Sequence, residues 1–144
     1  MKIYKIFLLF AFFSFFSCNV NKKHPVPHLS FDVDVNLNNP SYIELQGIGG
    51  WAYVSGVGSK GIVVYRQSQQ HFVAFDRHSP SPEGFDCQAG LEVDAENFLV
   101  LNDPCSNAKF SLYDGSVLSG DSKFGLRSYI AEYSGSTILR IYNP

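Results

Sequence analysis

The sequence has little charge, no basic excess, no long apolar run and no helical stretch with caps beyond its first residues. Charged residues make up 17% of the 144 and the formal net charge is −2. Setting aside Lys2 and Lys5, which lie in a leader-like segment, leaves nine Lys/Arg against thirteen Asp/Glu, and 9 − 13 gives −4. A mildly acidic body lacks the basic face that a nucleic-acid groove needs, so no nucleic-acid partner is expected. Three cysteines and four histidines show no paired zinc-site spacing. No G-x-S-x-G elbow is present, and nothing else argues positively for an enzyme. A membrane-spanning helix needs about 20 apolar residues, and no such run exists. There is no internal repeat and no low-complexity tract. The length suits one domain, and a 45% share of hydrophobic residues is enough for a packed core.

The first residues read MKIYKIFLLFAFFSFFSC. Lys2 and Lys5 form a positive n-region, and Ile6 to Phe16 is apolar apart from Ser14. This is the layout of a secretory signal, residues 1–17. Its end, Phe15-Phe16-Ser17-Cys18, resembles a bacterial lipobox. The resemblance implies cleavage before Cys18 and lipid on its sulfur. Each buried methylene of such a lipid contributes about 0.8 kcal/mol, so several acyl chains make a durable membrane anchor. Asn19 stands where an inner-membrane retention aspartate would stand, which places the expected product on the outer membrane of a bacterial envelope. Residues 18–30 read as a lipidated tether, polar and proline-bearing. His24 and His28 are four apart, but Pro25 and Pro27 forbid the helix that would put both on one face, so no metal role is expected there.

From Ser30 the pattern is β. Phe31, Val33, Val35 and Leu37 alternate with Asp32, Asp34 and Asn36, the period-2 mark of a half-buried strand. Further strands are predicted over Trp51–Ser55, Ile62–Arg66, Phe72–Asp76, Phe98–Leu101, Lys109–Tyr113, Ser128–Tyr133 and Thr137–Tyr142. They are short, rich in Val, Ile, Phe and Tyr, and separated by Gly, Pro, Asn or Ser. Gln67-Ser68-Gln69-Gln70 and Asp114-Gly115 read as turns. The expected class is all-β, a sandwich or barrel of small antiparallel sheets over residues 31–144. Gly56 to Gly61 matches G-x-G-x-x-G, but a strand follows it where a dinucleotide loop needs a helix. It reads as a glycine-rich turn. Removing Cys18 leaves Cys87 and Cys105, an even pair that in an exported domain suggests a disulfide. The alternative at this point is two buried thiols.

Two segments look like the paired loops of a known family. The first is Phe72-Val73-Ala74-Phe75-Asp76-Arg77-His78-Ser79-Pro80-Ser81. The second runs from Asp103-Pro104-Cys105-Ser106-Asn107-Ala108 through Lys109-Phe110-Ser111-Leu112-Tyr113-Asp114-Gly115 to Ser116-Val117-Leu118-Ser119-Gly120. Together they resemble Rieske iron–sulfur domains, whose first loop carries C-x-H and whose second carries C-x-x-H-G-S-x-F, then a strand, a D-G turn and a V-L-S-G-like segment. Leu126-Arg127-Ser128-Tyr129 and the closing strands are similar to the family's ending, so the resemblance covers roughly 41–142.

The resemblance implies a Rieske-like fold and, in a typical member, a [2Fe-2S] cluster held by two Cys and two His for electron transfer. Residue by residue, Ser79 and Ser81 fall on the first loop's cysteine and histidine positions, with Pro80 between them. Asp103 and Ser106 fall on the second loop's. All four ligand positions are therefore substituted. Hydroxyls are poor donors to a soft iron–sulfide core, so no cofactor is expected, and the implied role is structural or binding. The same resemblance pairs Cys105 with a cysteine beyond the first loop, which Cys87 matches although it lies a few residues late. The bridge would clamp the two loops, closing about 18 residues for roughly 3 kcal/mol. An alternative is an electron carrier with an atypical cluster on His78, Cys87, Asp103 and Cys105. Otherwise His78 is expected as an exposed loop histidine. Tyr113 and Phe85 are the exposed aromatics expected near a binding surface, and an envelope protein is the expected partner class besides the membrane itself.

Overall fold

The structure is a computed structural model and describes residues 22–144. The leader, the lipobox, Cys18 and Asn19 lie outside the described residues. Ten strands are present among those described: β1 Phe31–Asn36, β2 Trp51–Val54, β3 Ile62–Arg66, β4 Phe72–Asp76, β5 Glu92–Val93, β6 Val100–Asn102, β7 Lys109–Ser111, β8 Val117–Ser119, β9 Ser128–Tyr133 and β10 Ile138–Asn143. They form two antiparallel sheets. One has six strands in the order β1-β10-β9-β4-β3-β2 and the other four in the order β5-β6-β7-β8. The protein is all-β. The small sheet is an insertion in the chain between β4 and β9, which are themselves neighbours in the large sheet.

The strands follow from side-chain alternation. Along β1 the apolar positions turn inward and the Asp and Asn positions are exposed, as a period of two requires. β3 runs Ile62-Val63-Val64-Tyr65 before Arg66 because both of its faces are covered, and all five of its residues are buried. Ile62 and Val64 join one core with Val54, Ala74, Leu139 and Ile141. Val63 and Tyr65 join a second core with Phe75, Leu101, Phe110 and Leu112 from the small sheet's side. The Gln67–Gln70 turn closes the β3–β4 hairpin, with the Gln67 amide donating to the His71 carbonyl at 2.9 Å.

Three expectations about elements need correction. A 3-10 helix, Pro40–Gln46, interrupts the β pattern, with Asn39 as its cap accepting from the Ser41 amide at 2.9 Å. Seven residues are too few for a helical period to register. Its last carbonyls are held by the buried Arg66 guanidinium, which donates to Leu45 O at 3.1 Å and Gln46 O at 2.6 Å. Phe98 does not start a strand. Asp94 Oδ1 accepts from the Glu96 and Asn97 amides, both at 2.9 Å, so the chain turns there and β6 starts at Val100. The short strands β5 and β8 were not predicted, because two or three residues carry no alternation to detect.

Part of the stretch read as tether packs on the domain. Val26 is fully buried, and its carbonyl accepts from Arg127 Nε at 2.9 Å. His24 Nε2 meets the Gly125 carbonyl at 2.9 Å, and its ring stands edge-on to Phe124.

Candidate functional site

The β4–β5 and β6–β7 loops lie side by side at one end of the molecule, the tip. The tip rests on Asp76, the last residue of β4, which is fully buried. Its carboxylate accepts from the amides of Ser59 at 2.6 Å, Lys60 at 3.3 Å and His78 at 2.7 Å, and from the Tyr129 hydroxyl at 2.5 Å. Burial first, and then the Asp76 carboxylate, pushes the Tyr129 hydroxyl well above the usual tyrosine range. The Ser59 and Lys60 amides belong to the G-x-G-x-x-G turn, so this turn wraps a carboxylate of its own chain. Gly58 sits at φ +69°, and a side chain there would meet Asp76 Oδ2 at 2.8 Å.

Beyond Asp76 the four loop positions singled out in the sequence come together. Asp103 Oδ2 accepts from the hydroxyls of Ser79 at 2.6 Å, Ser106 at 2.7 Å and Ser81 at 2.9 Å. Each hydroxyl in turn accepts from a backbone amide: Ser79 from Ser81 at 3.2 Å, Ser81 from Gly84 at 3.0 Å, and Ser106 from Ala108 at 3.1 Å. Asp103 Oδ1 takes the Cys105 amide at 2.9 Å. Ser79, Ser81 and Asp103 are buried, and every donor and acceptor in this set is matched. Gly84 is packed against it so closely that a Cβ there would fall 1.6 Å from Asp103 Oδ2.

Burial alone would raise the Asp103 carboxyl. The bonds from Ser79, Ser106, the Cys105 amide and Ser81 outweigh it and hold the carboxyl below its usual range. That decides what the cluster can do. A carboxylate stabilised by four donors is a weak base, and the serine protons already point at it. No group in the set is poised to deprotonate a serine, so the cluster has the chemistry of a clamp rather than of a nucleophile with its base.

The loops are also joined covalently. Cys87 and Cys105 form a disulfide with a Cα–Cα distance of 5.8 Å across 18 positions of sequence. Lys60 Nζ donates to the Cys87 carbonyl and, at 3.2 Å, to the Phe85 carbonyl, tying the first loop to the glycine turn.

His78 corrects an expectation. It is buried, not exposed. Its Nε2 meets the Phe85 carbonyl at 2.8 Å, its Nδ1 meets Ser59 Oγ at 2.7 Å, and its ring stacks on Phe85 with centroids 4.5 Å apart. A carbonyl only accepts, so Nε2 donates to Phe85, and Nδ1 shares a hydrogen bond with the Ser59 hydroxyl. Phe85 is half-buried by that stack. The alternative donor set of His78, Cys87, Asp103 and Cys105 is not assembled: the cysteines are bonded to each other, and His78 and Asp103 are engaged elsewhere. Among the described residues, no group of three or more His, Cys, Asp or Glu side chains is placed to hold a metal ion. Tyr113 is exposed but stands at the far end of β7, away from the tip.

A scan of protein-family models and searches of curated proteins and solved structures found nothing that matches this chain.

Sequence reasoning did not single out Asp76, Tyr129, Lys60 or Gly84. Asp76 carried one usable signal, a carboxylate directly continuing the apolar strand Phe72–Phe75, where burial is expected. The others are brought in by tertiary approach and have no local signature.

Proposed function

We propose that this chain is a lipid-anchored protein of the bacterial envelope whose domain is a Rieske-like scaffold without an iron–sulfur cluster. It acts by binding or as a structural element rather than by electron transfer. Lipid on Cys18 holds it to the membrane, and the residue after Cys18 favours the outer membrane. An envelope protein is the partner class besides the lipid.

One observation carries this reading. The four residues that the resemblance puts at ligand positions, Ser79 and Ser81 on one loop and Asp103 and Ser106 on another 22 positions further on, meet around one carboxylate oxygen. Two loops converging on four inward-facing side chains is the arrangement a cluster site has, with donors of another chemistry. These residues do not fit a [2Fe-2S] cluster. Its irons take thiolate and imidazole, whereas these hydroxyls are neutral and already spend their protons on Asp103. The disulfide supports the same view, since it ties the two loops where a cluster would otherwise tie them.

Iron and acid-labile sulfide, assayed on protein purified from membranes without reductant, test it. The expected preparation is colourless, with both analytes far below one per chain and no thiol titrated after denaturation. Stoichiometric iron and sulfide with visible absorbance would return the chain to the electron carriers.

A further inference from the structure

We propose that the tip faces the bilayer, and that the apolar cleft beside the serine–aspartate cluster is a contact surface for lipid. The inference rests on the lipidation of Cys18 proposed above and adds an orientation and an interacting face to it.

The argument begins with where the chain enters the domain. His24 and Val26 are pinned to the segment Phe124–Arg127 by the bonds already described, and the Arg127 carbonyl accepts from the amide of Asp76 at 2.9 Å, at the base of the tip. The N-terminal chain therefore arrives at the tip end. Counting from Cys18 to His24 gives 24 − 18, or six residues, which reach at most about 22 Å when fully extended. If the first fixed point were Phe31, 31 − 18 gives thirteen residues and about 47 Å. Docking of His24–Val26 thus halves the leash and fixes which end of the molecule it leaves from. A lipid in the bilayer on so short a leash keeps the tip at the headgroup level, while the β3–β4 hairpin at the other end points away.

The surface at that place suits the neighbour. A cleft of about 340 Å³ is lined by Pro25, Pro80, Pro82, Phe85 and Phe124, with Lys123 at its side. Pro25 is itself part of the wall, so the leash and the cleft are continuous. The charges around it balance: exposed Lys22, Lys23 and Lys123 stand against exposed Glu83, Asp86 and Asp121, and 3 − 3 gives zero. Contact therefore depends on the tether and on apolar area, not on the charge of the lipid.

The protein carries its own control. Trp51 is its single tryptophan, and it pairs with Tyr65 at the end of β2 and β3 away from the tip. The full lipidated chain is reconstituted into protein-free vesicles that contain brominated lipid, and quenching of tryptophan fluorescence is read. In a Trp51→Phe background, Pro82→Trp and, separately, Lys123→Trp place the probe on exposed tip residues that hold no part of the core. Both are expected to be quenched at least threefold more than Trp51 in the native chain. Adding anionic lipid changes this little. Undocking the leash with His24→Ala and Val26→Asp lowers tip quenching by half or more without releasing the protein from the vesicles.

Mass spectrometry of the same sample separates the two premises. A chain with no lipid on Cys18 overturns the anchoring and the orientation together. A lipidated chain in which Trp51 is quenched as strongly as the tip probes overturns the orientation alone. So does a tip that stays unquenched on vesicles but is shielded in native membranes, because its occupant is then a membrane protein.

Discussion

At the scale of single residues, Asp103 does the most. It ties the two tip loops together, since one oxygen collects three hydroxyls from both loops. Its ionised form is the one bonded in the folded state, and its carboxyl is held below the usual range. The sign of the linkage follows. A depressed acid adds stability fully present above its unfolded value, about 3.9, and that stability is lost as pH falls through the lower folded value. Asp103→Asn keeps the shape and removes the charge. It is expected to lose about 1–3 kcal/mol at neutral pH, the scale for breaking bonds to a buried charged acceptor. Its stability should also fall less steeply than the native chain's below pH about 4. Urea titrations at a series of pH values read both, and parallel curves for the two proteins would remove Asp103 from the acid response. Ser79, Ser81, Asp103 and Ser106 were singled out through the resemblance alone, and the structure brings the four side chains together. The burial of His78 was not legible. It depends on Ser59, nineteen positions earlier, and no local pattern records that approach.

At the scale of elements, the two tip loops are held three ways: by the serine–aspartate cluster, by the Cys87–Cys105 bond and by Lys60 on the first loop's carbonyls. The bridge closes a loop of 18 positions, and the chain-entropy account gives it about 3 kcal/mol. A double variant, Cys87→Ser with Cys105→Ser, is expected to lose roughly that amount in denaturant unfolding while keeping its far-UV circular dichroism. The strands would survive because neither cysteine lies in one. Loss of the β signal would instead make the bridge a condition for folding. Among the elements, those with a clear burial alternation or a two-sided core, β1 and β3, were readable from sequence. The glycine turn was also readable, since β3 follows it directly. The 3-10 helix, β5 and β8 were not, because each is shorter than the window in which a period can be counted. They form through contacts with neighbours, as the Arg66 guanidinium shows for Leu45 and Gln46.

At the scale of the whole molecule, the small sheet is an insertion between two neighbouring strands, which raises the question of whether it unfolds by itself. The packing argues that it does not. β3 contributes Ile62 and Val64 to the core of the large sheet, and Val63 and Tyr65 to the core shared with the small sheet. One strand thus carries both cores, and neither dissolves while β3 stays in place. Leu139 lies on β10, fully buried in the first core, whereas Trp51 packs against the second. Truncation by Leu139→Ala removes buried volume worth about 2–5 kcal/mol. If the cores are coupled, the urea midpoint read from Trp51 fluorescence shifts as far as the one read from far-UV circular dichroism. If the sheets are separate folding units, Trp51, which lies on β2 of the large sheet, moves with Leu139, while the dichroism transition splits because the small sheet keeps its own midpoint. Coincidence of the two curves in both proteins is the expected result, because the residues that separate the probes are the alternating side chains of a single strand.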